Sequence, residues 1–178
     1  MKNISSVVST TVLFTLAAAS MATNAAQINF TGTVTAQSCE LTSGGDLDFN
    51  LSTVGVSDVK EPGQQIGMMN LATAISCEDA SQAGTVTMAF MPNPGSYEGK
   101  VLKNTASVDA AEGVGFVVMD ENNQILDFST GKAEINTPMT DAGMANVTIA
   151  ANYAKDGSGN EVKPGKVQAI LPFVLTYQ

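Results

Sequence analysis

Alternation of apolar and polar residues with a period of two constrains this chain more than any other feature. From Gln27 to Gln37, Ile28, Phe30, Gly32 and Val34 share one side, and Asn29, Thr31, Thr33 and Thr35 share the other. Successive side chains of a strand point to opposite faces, so such a run buries one face and wets the other. The same pattern returns in Thr85–Met91 (Val86, Met88, Phe90), in Asn146–Tyr153 (Val147, Ile149, Ala151, Tyr153) and at the end of the chain (Ala169, Leu171, Phe173, Leu175, Tyr177). Val114–Met119 is apolar on both sides, which suits a central strand covered on both faces. Turn-forming clusters separate these runs: Ser43-Gly44-Gly45, Glu61-Pro62-Gly63, Pro92-Asn93-Pro94-Gly95, Glu121-Asn122-Asn123 and Asp156–Asn160. Many short strands at such spacing predict an all-β sandwich in a single domain. Two stretches, Ala72–Ile75 and Ala106–Glu112, are expected to hold a short helical turn each.

The first 25 residues follow a different logic. Met1 and Lys2 give a short positive start, an apolar stretch runs from Val7 to Ala22, and small residues follow. This is the layout of a secretory signal peptide, with cleavage expected after Ala25. The stretch is too short, and too interrupted by Ser9, Thr10, Thr11 and Thr15, to read as a spanning helix. Export changes how Cys39 and Cys77 read, because an even cysteine count in an oxidising compartment usually means pairing. A bridge between them would contribute about 4 kcal/mol in the chain-entropy picture. The alternative, two free thiols with one catalytic, lacks a histidine to generate a thiolate.

Charge and composition narrow the function. The chain carries 8 Lys+Arg against 17 Asp+Glu, for a net charge of −9. Nucleic-acid binding needs clustered cations to displace counterions, so no nucleic-acid partner is expected. With no His in the chain, Ser-His-Asp and Cys-His catalysis and most zinc sites are excluded. Ser57-x-x-Lys60 and Ser129-x-x-Lys132 match a serine-acylation pattern but lack its companion motifs. Gly113-x-Gly115 lacks a third glycine and leads into a strand, against a dinucleotide loop. Asp120-x-Asn122-x-Gln124 resembles the start of a calcium loop, yet Ile125 stands where that loop needs glycine. Neither enzyme activity, nor a cofactor, nor a metal is expected.

The ends of the chain carry a resemblance. An alternating arm, Ile28-x-Phe30-x-Gly32-x-Val34, runs straight into Cys39, with Cys77 as its partner. Gly113-Val114-Gly115-Phe116 precedes Asp120, Tyr153 lies near the end of a strand, and Gly165 precedes a terminal strand whose penultimate residue is Tyr177. In this order the sequence resembles the pilin subunits of chaperone–usher fimbriae, the type 1 and P pilus family of Gram-negative bacteria. The resemblance implies an incomplete immunoglobulin-like sandwich completed by a donor strand from a neighbouring subunit. It implies a signal peptide at 1–25, a donor-strand arm at 26–37 and a pilin domain at 38–178. Ile28, Phe30 and Val34 would be the plugs of the arm, and Gly32 would sit where the groove is too shallow for a side chain. Gly165, Phe173, Leu175, Tyr177 and the terminal Gln178 would form the groove and the contacts of a periplasmic chaperone. The further partners implied are other pilin subunits, an outer-membrane usher and, for an adhesive subunit whose own sandwich face binds, a host receptor. The implied location is an extracellular fimbrium reached through the periplasm.

Overall fold

The fold was read from a computed structural model that describes residues 26–34, 39–64, 68–77, 84–140 and 143–178. Twelve strands make up almost all of its regular structure. They are β1 (Ala26–Val34), β2 (Cys39–Leu41), β3 (Asp46–Leu51), β4 (Met69–Cys77), β5 (Thr85–Phe90) and β6 (Tyr97–Glu98). The second half adds β7 (Val101–Lys103), β8 (Val114–Met119), β9 (Ala133–Pro138), β10 (Met144–Lys155), β11 (Gln168–Ile170) and β12 (Phe173–Tyr177). A 3-10 turn at Val56–Asp58 is the one helical element among the described residues.

The strands form two sheets. In one, β1 lies between β3 and the tandem pair β11 and β12, and β12 continues through β5 to β9. In the other the order is β2-β4-β10-β8-β7-β6. Side chains from both inner faces meet in one core, in which Phe30, Phe49, Phe90, Phe116 and Phe128 are fully buried. This is the layered solution expected when each sheet has one apolar face to hide. Cys39 and Cys77 face each other across β2 and β4 and are disulfide-bonded.

The alternating runs become strands, with one break. The C-terminal run divides into β11 and β12 around Leu171 and Pro172, because proline has no N–H to give a ladder. β8 is buried at every position. Its second face lies in a smaller apolar cluster, where Val117 and Met119 join Val101, Ala150 and Ala154, with Met68 and Ile125 packed on them.

Both helical expectations are corrected. Ala72–Ile75 lies inside β4, which pairs with β2 on one side and β10 on the other. Thr73, Ile75 and Cys77 point inward there, and two-sided pairing outweighs the helical preference of the two alanines. Residues 106–112 form bends with two isolated bridges rather than a turn of helix. The Asn104 side chain organises them: it accepts the Ala106 N–H and donates to the Ala111 and Lys166 carbonyls. A local side chain that bonds the backbone in this way competes directly with helix. The expected signal peptide at 1–25 and the arm residues 35–37 lie outside the described residues.

Candidate functional site

The arm is an inner strand of its sheet. β1 runs antiparallel to β3, with Ala26 opposite Leu51 and Thr31 opposite Asp46. On its other side it runs parallel to β11, with Gln27 opposite Gln168, and to β12, with Gly32 opposite Phe173 and Val34 opposite Leu175. The register is unchanged across the Pro172 break, where the Leu171 N–H donates to the Asn29 carbonyl at 3.0 Å. Alternation then does what the sequence demands. Ile28 and Phe30 have 0% exposure, while Gln27 and Asn29 are half-buried and Thr31 is exposed on the outer face.

Phe30 occupies the middle of an aromatic cluster. Its ring centroid is 4.7 Å from that of Phe49 on β3 and 5.8 Å from that of Phe90 on β5. Phe90 in turn lies 6.1 Å from Phe173 on β12. Tilted and edge-on pairs at such distances add to the burial gain. Leu47, Phe49 and Leu51 line one wall of the groove and Ala169, Leu171, Phe173 and Leu175 the other, all buried in the same core. Without β1, these two walls would be separated by a missing strand, with apolar side chains and unpaired backbone open to water.

The remaining residues named from sequence sit at the two ends of this groove. Tyr177 lies past Val34, the last arm residue in register, and is half-buried on β12 opposite Val86. Gln178 exchanges backbone hydrogen bonds with Thr85, at 2.8 and 3.0 Å. Gly165 lies at the opposite end, before β11. A Cβ there would run into the backbone of Asp109, Ala110 and Ala111, so no larger residue fits. Beside it is a cavity of about 100 Å³ lined by Val59, Val114, Tyr153, Val162 and Val167. The Val167 carbonyl accepts the Gln27 N–H at 3.3 Å, which puts this cavity at the N-terminal end of the arm. Sequence reasoning passed over Gly84, on which the Tyr177 ring lies so closely that a Cβ would collide with it. Its only sequence signal is a glycine immediately before a strand.

The chemical motifs resolve into structural roles. The Lys60 ammonium donates to the Ser57 carbonyl, and Lys132 pairs with Glu134. The Ser129 hydroxyl and N–H instead both donate to Asp127. These two bonds, helped by the charge of Lys100, hold the Asp127 carboxyl below its usual range. Asp120 accepts the N–H groups of Asn122 and Gln124 and closes a turn. Among the described residues no cluster of three His, Cys, Asp or Glu could hold a metal ion. On β10, Tyr153 packs 5.3 Å from Phe116, and burial pushes its phenol up to about 12.

Comparison with known proteins bears on the whole arrangement. The family model described as fimbrial protein matches residues 28–178, from the arm to the last residue. The major fimbrial subunit SMF-1 of Stenotrophomonas maltophilia is 30% identical over 172 residues, covering 91% of this chain and 99% of its own. The S-fimbrial protein subunit SfaG of Escherichia coli is 29% identical over 160 residues, covering 85% of this chain and 82% of its own. Among solved structures, the CupB6 tip adhesin from Pseudomonas aeruginosa is similar at a TM-score of 0.43 and 17% identity, over 61% of this chain and 34% of the adhesin.

Proposed function

Because the chain belongs to the fimbrial protein family, structural subunits that polymerise into a surface fimbrium, we propose that its residues 26–37 are the connector of the fibre. In this reading the arm of one subunit fills the groove of the next, between β3 and β11/β12. The fibre so formed supports cell adhesion. The observation that carries the reading is β1 itself, an alternating segment whose Ile28 and Phe30 are fully buried between β3 on one side and β11/β12 on the other.

The physics of such a connector is simple. Every copy carries the same arm and the same groove, and the two are different surfaces. A contact between unlike surfaces does not close on itself and extends into a filament. Strand addition supplies a backbone ladder, and the alternate side chains supply specificity. Burial of Ile28 and Phe30 adds roughly 1.5–3 kcal/mol each. Gly32, opposite Phe173, is the position of the arm that brings no side chain to the groove. Before assembly the same apolar walls, Phe173 and Leu175 foremost, need cover. A strand lent by a periplasmic chaperone and surrendered at an outer-membrane usher meets that need, with Gly165, Tyr177 and Gln178 at the margins of the contact.

The test is complementation in trans. A chain lacking residues 26–37 is mixed with a synthetic peptide of that sequence and its thermal unfolding is followed. The expected result is a slow rise of the midpoint by tens of degrees, and a much smaller rise with a Gly32→Arg peptide. A truncated chain that is already stable and ignores the peptide sinks the proposal.

A further inference from the structure

Near the C-terminal end of β10, Tyr153 lines the cavity of about 100 Å³ beside Gly165. Val114 of β8 lines it as well, together with residues of the 53–59 segment after β3 and of the strap 162–167. Tyr153 is only 6% exposed. A buried tyrosine normally finds a hydrogen-bond partner for its hydroxyl. This one has none among the described residues: burial alone acts on the phenol, with no hydrogen bond contributing. No side-chain polar atom sealed from solvent is left unsatisfied among the described residues, so the hydroxyl is not sealed in. It faces the cavity that the residue lines.

The rest of the lining sets what the hydroxyl can meet. Val54, Val56, Val114, Val162 and Val167 make it largely apolar, and Val54 and Val56 are 41% and 47% exposed. A more open depression shares Val56 and Val162 and adds Ser57, Lys155, Asn160 and Glu161. The lysines that line the two are already engaged, Lys163 with Glu112 at 2.6 Å and Lys155 with Glu61 at 2.9 Å. A charged guest would bring an uncompensated charge into an apolar recess, which is costly. The walls are tied in place by the backbone. The Lys155 N–H donates to the Lys60 carbonyl and the Lys163 N–H to the Glu112 carbonyl, and Gly165 packs against the backbone of residues 109–111. A pre-formed apolar recess with one aimed polar group is the usual form of a small-molecule site.

We propose that this cleft binds a small neutral molecule, an apolar body carrying one carbonyl or hydroxyl oxygen that accepts a hydrogen bond from Tyr153. A dry cavity of about 150 Å³ holds benzene, so one of about 100 Å³ suits a body of about five carbons. No described residue of β1 lines the cleft, so the site stands apart from the connector reading.

The full chain has three tyrosines, so ring labelling lets NMR follow Tyr153 beside two internal references, Tyr97 and Tyr177. Cyclopentanone is the probe. It should shift the Tyr153 signal to saturation and leave the other two in place. Cyclopentane, the same ring without the oxygen, should bind roughly three- to tenfold more weakly. Cyclopentylammonium should not bind. Tyr153→Phe, followed through valine methyl signals, should lower cyclopentanone binding to the level of cyclopentane. Val162→Phe, which fills the recess, should abolish both, and Val56→Phe takes its place should that variant not fold. A shift that never saturates, equal shifts at all three tyrosines, or equal binding of ketone and hydrocarbon overturns the site. Displacement of cyclopentanone by a peptide of residues 26–37 also overturns it, because the cleft would then belong to the contact between subunits.

Discussion

β1 and β8 are both inner strands, and both bury phenylalanine in the same core: Phe30 and Phe116 each have 0% exposure. Their outer faces differ. β8 turns Val117 and Met119 into a second apolar cluster, and it is covered on both sides. β1 turns Gln27, Asn29 and Thr31 outward, next to Asp46, Asp48 and Asn50 of β3. Removing β8 would expose two apolar faces; removing β1 exposes one. Both strands are paired on two sides, β1 between β3 and β11/β12 and β8 between β7 and β10, so what separates them is the outer face, which in β1 already tolerates water.

The largest effects test this contrast most directly. Phe30→Ala and Phe116→Ala should each cost about 3–5 kcal/mol, read from denaturant unfolding. Wild-type arm peptide added in trans should recover much of the Phe30→Ala loss and none of the Phe116→Ala loss. Equal rescue, or no rescue of either, would erase the distinction between an exchangeable and a permanent strand.

Replacing Cys39 and Cys77 by Ala should cost about 4 kcal/mol for a separation of 38 residues. The bond anchors the strand that follows the arm, so the loss should persist with peptide present. Midpoints measured with and without peptide separate anchor from connector. Tyr153 reports on the permanent sheet through pH. Its phenol is raised from 10.0 to about 12. The stability that burial of the neutral ring contributes is therefore complete below pH 10 and lost as pH climbs toward 12. Unfolding midpoints across that window should fall, and Tyr153→Phe should flatten the decline.

The smallest effect probes the wet face of the arm. Asn29 lies directly opposite Asp48, so Asn29→Asp would place like charges side by side at a cost of about 0.2–1 kcal/mol. The loss should shrink as salt rises. Asn29→Lys should be neutral or mildly stabilising. Salt-independent losses for both would show that the outer face is more constrained than its exposure implies.

Much of this was legible in the residues. Period-two alternation in Gln27–Val34, Thr85–Phe90 and Asn146–Tyr153 marks strands because only an extended chain turns that pattern into one dry and one wet face. β8 was readable as doubly covered because no residue from Val114 to Met119 is polar. The failures fall where local signals compete with distant partners. Alanines in Ala72–Ile75 argue for helix until β2 and β10 claim both edges of β4. Residues 106–112 are shaped by one asparagine side chain that reaches as far as Lys166. The 3-10 turn at Val56–Asp58 and the role of Gly84 left no pattern to read.

The sequence by itself determined that the chain is a β sandwich, which face of β1, β5 and β12 is buried, and that its two cysteines had each other as natural partners. It also determined that the arm carries the pattern of a core strand. Only the tertiary structure decided where that strand goes. Position between β3 and β11/β12, the parallel direction and the unbroken register across Pro172 depend on two remote segments meeting around a third. Period-two patterning states which side of a strand must be dry but is silent on which neighbours dry it.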